Sequence, residues 1–471
     1  MNSTWDLVTL SYFSPKTWLN ASYVYRLVGL FSAWRESSFL LQWSEAIGAL
    51  LISLVFIFGP FITTGLIGVW LIAITGYWGI LTLSDREKPG FSPIHLLISV
   101  YWGVSAVAVA LSPVKAAAFS GFIKLTLYLA FFAFCARILR SPRLTNYLIT
   151  VVLGIGLVVG CYGVRQQIFG VEQLATWNDP TSELAGATRV YSYLGNPNLL
   201  SAYLLPSIAF GVAAFFVWQG LLPKLLATTI TLVNTACLYF TGSRGGWIAM
   251  LALMATFLLL FFVWFKNNLS PFWRKWLLPL VFTVLGGLLL AAIVSVDSLR
   301  MRVMTIFMGR EDSSNNFRMN VWMAVLDMIR DRPLIGIGPG NSAFNKIYPL
   351  YMSPKYSALS AYSVLLETAV ETGLIGLSIF IWLIVVTVNQ GVRQIQRLRD
   401  NNNPYGMWLI AAIAAMAGLM AQGLFDTVWY RPQVNTLWWF LVALIASQYQ
   451  PKQKENTRNN IDAESMFVVN K

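Results

Sequence analysis

The residues with the most chemistry to offer lie in SALSAYSVLLETAVETGLIGL, positions 357–377. Ser363, Glu367 and Glu371 recur every fourth residue, so a helix would carry them on one face, with Ser360 and Tyr362 near its start and Val, Leu, Ile and Ala elsewhere. Two carboxylates about 6 Å apart in a low dielectric do not both ionise freely. Either one holds a proton or a cation sits between them; alternatively, each glutamate is tied to neighbouring backbone in a structural network.

A second set is TGSRGG, Thr241 to Gly246. Its glycines allow a tight turn with exposed N–H groups, and Arg244 presents a fork of donors suited to carboxylate, phosphate or bicarbonate. The pattern reads as an anion nest, or as a plain turn with an interfacial arginine. It lacks the Lys-Ser/Thr ending of a nucleotide-binding loop.

Arg318 opens FRMNVWMAVLDMIRDRP, where Arg318, Trp322 and Val325 share one side of an amphipathic helix that Pro333 stops. Gly336, Gly338 and Gly340 follow at alternate positions, a spacing that favours a close-packed turn over a dinucleotide fingerprint and brings Asn341 and Phe344 toward the membrane mouth. Arg300, Arg302, Arg310, Arg318, Arg330 and Arg332 would together focus an anion on the span that follows. Lys124 is either a partner for the glutamates or a snorkelling lysine. Asp426 and Arg431, with Gln422 one turn earlier, read as a helix-end ion pair. Cys135, Cys161 and Cys237 form neither a disulfide framework nor a metal motif, so no metal and no cofactor are expected.

These residues need elements to hold them, and the composition says which. With 57% hydrophobic and 11% charged residues and a mean hydropathy of +0.62, the chain has too little polar surface for a soluble globule. It reads as an all-α polytopic integral membrane protein with about twelve spans of roughly twenty residues. They are placed near 46–60, 62–83, 94–111, 116–136, 144–164, 197–217, 223–240, 246–265, 276–296, 361–389, 407–425 and 433–449. Gly59 and Pro60 leave open whether the first run is one span or two. The resulting division is a cytoplasmic, interfacial segment 1–45, spans 46–296, an outer loop 297–358, spans 359–450 and a polar, disordered cytoplasmic tail 451–471.

The 33 Lys+Arg exceed the 20 Asp+Glu, yet their placement argues against nucleic acid. Arg137, Arg140 and Arg143, then Lys266, Arg274 and Lys275, then Arg393, Arg397 and Arg399 all follow even-numbered spans. The positive-inside rule then puts both termini in the cytoplasm, with 165–196 and 297–358 outside an inner (plasma) membrane. Lys16, Trp18, Arg26, Trp34, Arg35 and Trp43 read as an interfacial stretch before the first span, without the marks of a cleaved signal peptide.

TGSRGG, Arg318 with Trp322, Pro333-Leu-Ile-Gly-Ile-Gly-Pro-Gly340, and Leu365 through Glu371-Thr-Gly373-Leu-Ile-Gly376 resemble the signature segments of the O-antigen ligase and polymerase superfamily. Within it the wording ALSAYSVLLETAVETG is similar to the cyanobacterial IctB group of inorganic carbon (bicarbonate) transporters. The resemblance implies one of two jobs. The first is uptake of bicarbonate, with Arg244 and Arg318 attracting the anion and Glu367/Glu371 binding a coupling ion. The second is metal-independent transfer or polymerisation of a polyprenyl-diphosphate-linked glycan on the outer face, with Arg244 and Arg318 on the diphosphate and Glu371, or Tyr362 assisted by Glu367, as base. The family places a histidine where this chain has Tyr362, and a phenol with an ordinary pKa near 10 is a poor base at neutral pH. The sole histidine, His95, falls at the cytoplasmic start of the third span. Both jobs share one expectation. Arg244 and Arg318 should converge with the outer end of the 361–389 helix, with Glu367 and Glu371 facing that cavity or the bundle interior and Tyr362 at its mouth.

Overall fold

The computed structural model describes residues 3–13, 24–85, 90–172 and 188–450, and every regular element among them is helical. In hydrocarbon each backbone N–H and C=O must be satisfied within its own segment, so apolar runs of this length become helices. The bundle is built from α1 (Ser44–Phe58), α2 (Thr64–Ser84), α3 (Pro93–Ala110), α4 (Lys115–Ile138) and α5 (Pro142–Phe169). Then follow α6 (Pro197–Val217), α7 (Leu221–Phe240), α8 (Arg244–Phe265) and α9 (Pro271–Ser295). The segment after it folds into α10 (Asp297–Phe307), α11 (Ser313–Asp331) and α12 (Asn341–Ile347). The chain closes with α13 (Val364–Asp400), α14 (Gly406–Gly423) and α15 (Pro432–Ser447).

Ten of these are long and apolar enough to cross a membrane. The first and last expected spans form as helices of 15 and 16 residues, short of that criterion. Gly59 and Pro60 divide the first apolar run into α1 and α2 rather than sitting inside one span. Proline occupies the first turn of α3, α5, α6, α9 and α15, where its missing N–H costs nothing. The centre of the bundle is α6 and α14, in which 78% and 83% of the membrane-length window is buried. At the other extreme no residue of α9 is buried. Small residues set the close approaches: Gly156, Gly160 and Gly163 on one face of α5 lie against Ser207, Asn234 and Cys237.

The connections sort to two ends. At one, Asp85 accepts from Arg35 and Arg137, Arg399 donates to the Val263 carbonyl at 3.1 Å and Arg397 to that of Gln448 at 3.3 Å. His95 is there too, its Nδ1 paired with Ser92 as part of the N-terminal cap of α3. Trp34 and Trp43 are exposed near this end, while Lys16, Trp18 and the 451–471 tail lie outside the described residues. The opposite end gathers the α7–α8 turn, α10 to α12 and the α14–α15 turn.

The segment after α9 is more structured than a loop. α11 buries Val321, Ala324, Val325, Met328 and Ile329 in a second apolar core with Phe344, Tyr348 and Val370. The following glycine-rich stretch wedges between helices. Ile337 N and Gly338 N donate to Val370 and Glu371 carbonyls at 2.9 Å, Leu374 N donates to Pro333 O at 2.7 Å, and Ser112 Oγ donates to Ile337 O at 2.6 Å. The wedge is possible because α13 breaks at Gly373 (φ 69°, ψ −175°). A Cβ there would lie 2.1 Å from the Leu334 carbonyl oxygen, so only glycine fits.

Candidate functional site

The turn TGSRGG starts α8 and aims its arginine. Ser243 caps the helix, its Oγ accepting from Gly246 N at 3.1 Å, while Thr241 Oγ1 accepts from Ser243 N at 3.2 Å. These bonds hold Ser243 N and Gly246 N within the turn, so the motif works as a helix cap that presents Arg244. Arg244 reaches across to the 297–331 segment, with Nη1 on the Thr305 carbonyl at 3.1 Å and Nη2 on Asp312 Oδ1 at 3.0 Å. Asp312 also caps α11 through Asn315 N at 2.8 Å.

α11 then carries Arg318 one turn and a half further, and its Nη1 donates to Ser314 Oγ at 2.8 Å. Arg318 Nε and Trp322 Nε1 are buried without a hydrogen-bond partner among the described residues. Both side chains face a cavity of about 370 Å³, which Arg244 lines from the other wall. The two arginines, 74 residues apart in sequence, therefore share one chamber.

Three further connections complete its polar lining. Arg189, ahead of α6, donates from Nε to the Thr241 carbonyl at 3.0 Å and from Nη2 to Asn198 Oδ1 at 3.4 Å. Asn198 Nδ2 donates to Asp426 Oδ2 at 2.8 Å, and Thr427 N donates to Asp426 Oδ1 at 2.8 Å. Gln422 bonds the Asn198 carbonyl and Ser201 Oγ, and Arg302 enters from α10. Ile248, Ile306, Met319, Trp322 and Phe425 supply the apolar share. Asp426 thus belongs to the cavity rather than to an ion pair with Arg431, whose guanidinium lies over the Tyr430 ring at 5.3 Å.

The crowding of like charge is visible in the acidities. Burial, then the positive fields of Arg302, Arg244 and Arg318, pull Arg189 down to about 10. Burial and Arg244 lower Arg302, with Asp312 opposing. Burial lowers Arg318, against the field of Asp426. Asp426 is raised by desolvation, a shift held back by Arg318, the Thr427 N–H and Asn198. A bound anion would relieve the arginines together.

Tyr362 stands beside this chamber. Its backbone has φ 49°, in the left-handed region that a bulky residue rarely adopts. The preceding residues are tied to the Asp426 loop by Ser360 Oγ and Thr427 Oγ1 at 2.5 Å, and its ring meets Phe317 edge-on at 5.4 Å. Burial and the Asp426 charge push the phenol up to about 12, so as a base it is worse than its residue type suggests.

Glu367 and Glu371 are not among the residues lining the cavity. Glu367 Oε2 accepts from Ala361 N and Glu371 Oε1 from Gly340 N, each at 2.6 Å. Both carboxylates hold backbone N–H groups left over where the chain enters or wedges against broken α13. This is the structural alternative open from the sequence, and it separates the pair from the arginines. Lys124 is exposed on α4.

Sequence reading reached Arg244 and Arg318 and named Arg302 only as part of a charge field. It missed Arg189, Asn198 and Asp312 and assigned Asp426 elsewhere. The signal for Asn198 and Asp426 was polarity next to Pro197 and next to the end of α14, which is also what an ordinary helix cap looks like.

No match to a curated protein was found for the chain. Residues 227–381, which hold the Arg244 turn, the Arg318 helix, the glycine wedge and the first part of α13, match the protein-family model described as O-antigen ligase.

Proposed function

We propose that the protein is a glycan ligase or polymerase that uses a polyprenyl-diphosphate-linked glycan on the outer face of the membrane. The observation that carries this reading is the meeting of Arg189, Arg244, Arg302 and Arg318 in one cavity lined also by Asp312 and Asp426. A diphosphate diester carries two negative charges and many acceptor oxygens, and guanidinium forks match that geometry. The cavity volume of about 370 Å³ falls in the range of small-ligand sites. In the reaction an acceptor hydroxyl oxygen attacks the anomeric carbon, the bond from that carbon to the diphosphate breaks, and the departing oxygen's charge develops among fixed guanidiniums. The family match supports the same class of substrate.

Bicarbonate uptake is the second reading, supported by the IctB-like wording of α13 and by the same arginines, which would attract any small anion. Against it, a second cavity of about 440 Å³ at the Arg399 end, lined by Phe216, Trp264 and Arg399, shares no lining residue with the first. A transport route would have to join the two ends.

Purified protein in liposomes tests both. Saturable binding of undecaprenyl diphosphate, weakened by Arg318→Ala, with no protein-dependent uptake of labelled bicarbonate under a Na⁺ or proton gradient, is the expected outcome. Bicarbonate uptake without diphosphate binding would replace the ligase reading by the transport one.

A further inference from the structure

Glycosyl transfer to a hydroxyl needs a group to take the hydroxyl proton. Among the described residues the cavity lining holds two carboxylates and no imidazole. Asp312 is committed to an ion pair with Arg244 Nη2 at 3.0 Å and caps α11 through Asn315 N, both on Oδ1, so taking up a proton would cost it the pair with Arg244. Asp426 is placed differently. Each of its oxygens accepts one bond from a fixed donor, Asn198 Nδ2 on one and Thr427 N on the other. A carboxylate oxygen has two lone pairs, so each keeps one. The amide of Asn198 is itself oriented, since its Oδ1 takes Arg189 Nη2 and its Nδ2 must then point at the carboxylate.

We infer that Asp426 is the proton acceptor of the transfer reaction, an assignment that rests on the ligase reading above. As the acceptor oxygen bonds to the anomeric carbon, its proton passes to a free lone pair of Asp426. The bond between the anomeric carbon and the diphosphate oxygen breaks with its electron pair staying on the diphosphate. The products are the new glycosidic bond, polyprenyl diphosphate and a protonated Asp426 that returns its proton to water. Nothing is oxidised or reduced.

The groups facing Asp426 suit the role. Arg318 from α11 favours its ionised form and stands where it can also hold the departing diphosphate. Asn198 from α6 and the Thr427 N–H donate to it, Arg189 lies behind Asn198, and the Tyr362 phenol stays protonated beside it. Desolvation raises Asp426 from its ordinary value, against the fields of Arg318 and its two donors, which strengthens it as a base.

The test uses the full chain with its native substrates. Chromosomal Asp426→Asn and Asp426→Glu are compared with wild type and a deletion, reading lipid-linked glycan accumulation in cells, transfer rate against pH in permeabilised membranes, and undecaprenyl diphosphate binding by purified protein. Asp426→Asn should bind the diphosphate within about threefold of wild type yet transfer at least about 100-fold more slowly. The wild-type rate should fall on acidification through the raised pKa of Asp426. That limb should move in Asp426→Glu, which restores part of the rate, and vanish from the residual activity of Asp426→Asn. Transfer by Asp426→Asn within about fivefold of wild type, or a slow variant with an unmoved acid limb, overturns the assignment while leaving the ligase reading intact. A deletion that accumulates no lipid-linked glycan, together with wild-type protein that binds no undecaprenyl diphosphate, overturns both.

Discussion

Arg318 has one hydrogen bond, to Ser314, and a buried Nε without a partner among the described residues. A donor left unmade at depth is costly, so the side chain is arranged for something that fills the cavity. Lysine at 318 or 244 would keep the charge and lose the fork. Each substitution is expected to weaken undecaprenyl diphosphate binding by about tenfold, roughly 1.4 kcal/mol, with membrane level unchanged. Isothermal titration beside quantitative blotting checks this, and equal binding by the lysine variants would reduce both arginines to point charges. Tyr362→Phe makes the contrasting case. Because the phenol is held near 12, its loss should alter transfer by less than about fivefold at neutral pH and leave the acid limb in place. A 100-fold loss would return proton transfer to that position.

At the scale of elements, α13 is two helices joined at Gly373, and the break receives the Pro333 to Gly340 stretch. Glu371 ties the far end of that stretch through Gly340 N. Glu371→Ala removes the acceptor from an N–H and should lower stability by about 1–3 kcal/mol, whereas Glu371→Gln keeps an acceptor and should cost less. Gly373→Ala should be worse than either, since its Cβ has no room against Leu334 and its φ and ψ belong to a region nearly closed to other residues. Thermal unfolding in detergent ranks the three. If Glu371→Gln instead abolished diphosphate binding at unchanged stability, the carboxylate would belong to the site and not to the wedge.

For the molecule as a whole, the cavity and the Arg137 and Arg399 connections lie at opposite ends of the bundle. On the positive-inside rule we propose that the Arg137 end faces the cytoplasm and the cavity faces out. A cysteine at position 310 should react with an impermeant maleimide from outside in intact cells, and one at position 402 only after the membrane is opened. The reverse pattern would invert the protein and put the cavity where no exported lipid-linked glycan could reach it. α9 is the element least tied to the rest, with no buried residue. Leu288→Ala on it should therefore leave detergent stability within about 0.5 kcal/mol of wild type.

The apolar runs alone determined that this is an all-α membrane protein, because burying the backbone in hydrocarbon leaves a helix as the local solution wherever about twenty apolar residues occur in a row. The basic connections after even-numbered spans stood out in the sequence for the same reason, since each acts within a few residues of itself, whereas Gly59 and Pro60 left open whether the first run was one span or two. The glycines at 336, 338 and 340 announced a tight fit, but not that they would fit against the Val370–Glu371 backbone, Ser112 and Gly121. The two glutamates shared a helical face in the sequence, and only the wedge decided that their oxygens would go to Ala361 and Gly340 N–H groups instead of a cavity. Asp426 looked like the partner of Arg431 five residues away. Folding gave it Asn198, 228 residues distant, and set it near Arg318, because a polar group's partner in a bundle is set by which helix ends meet, and periodicity along one helix carries no information about that.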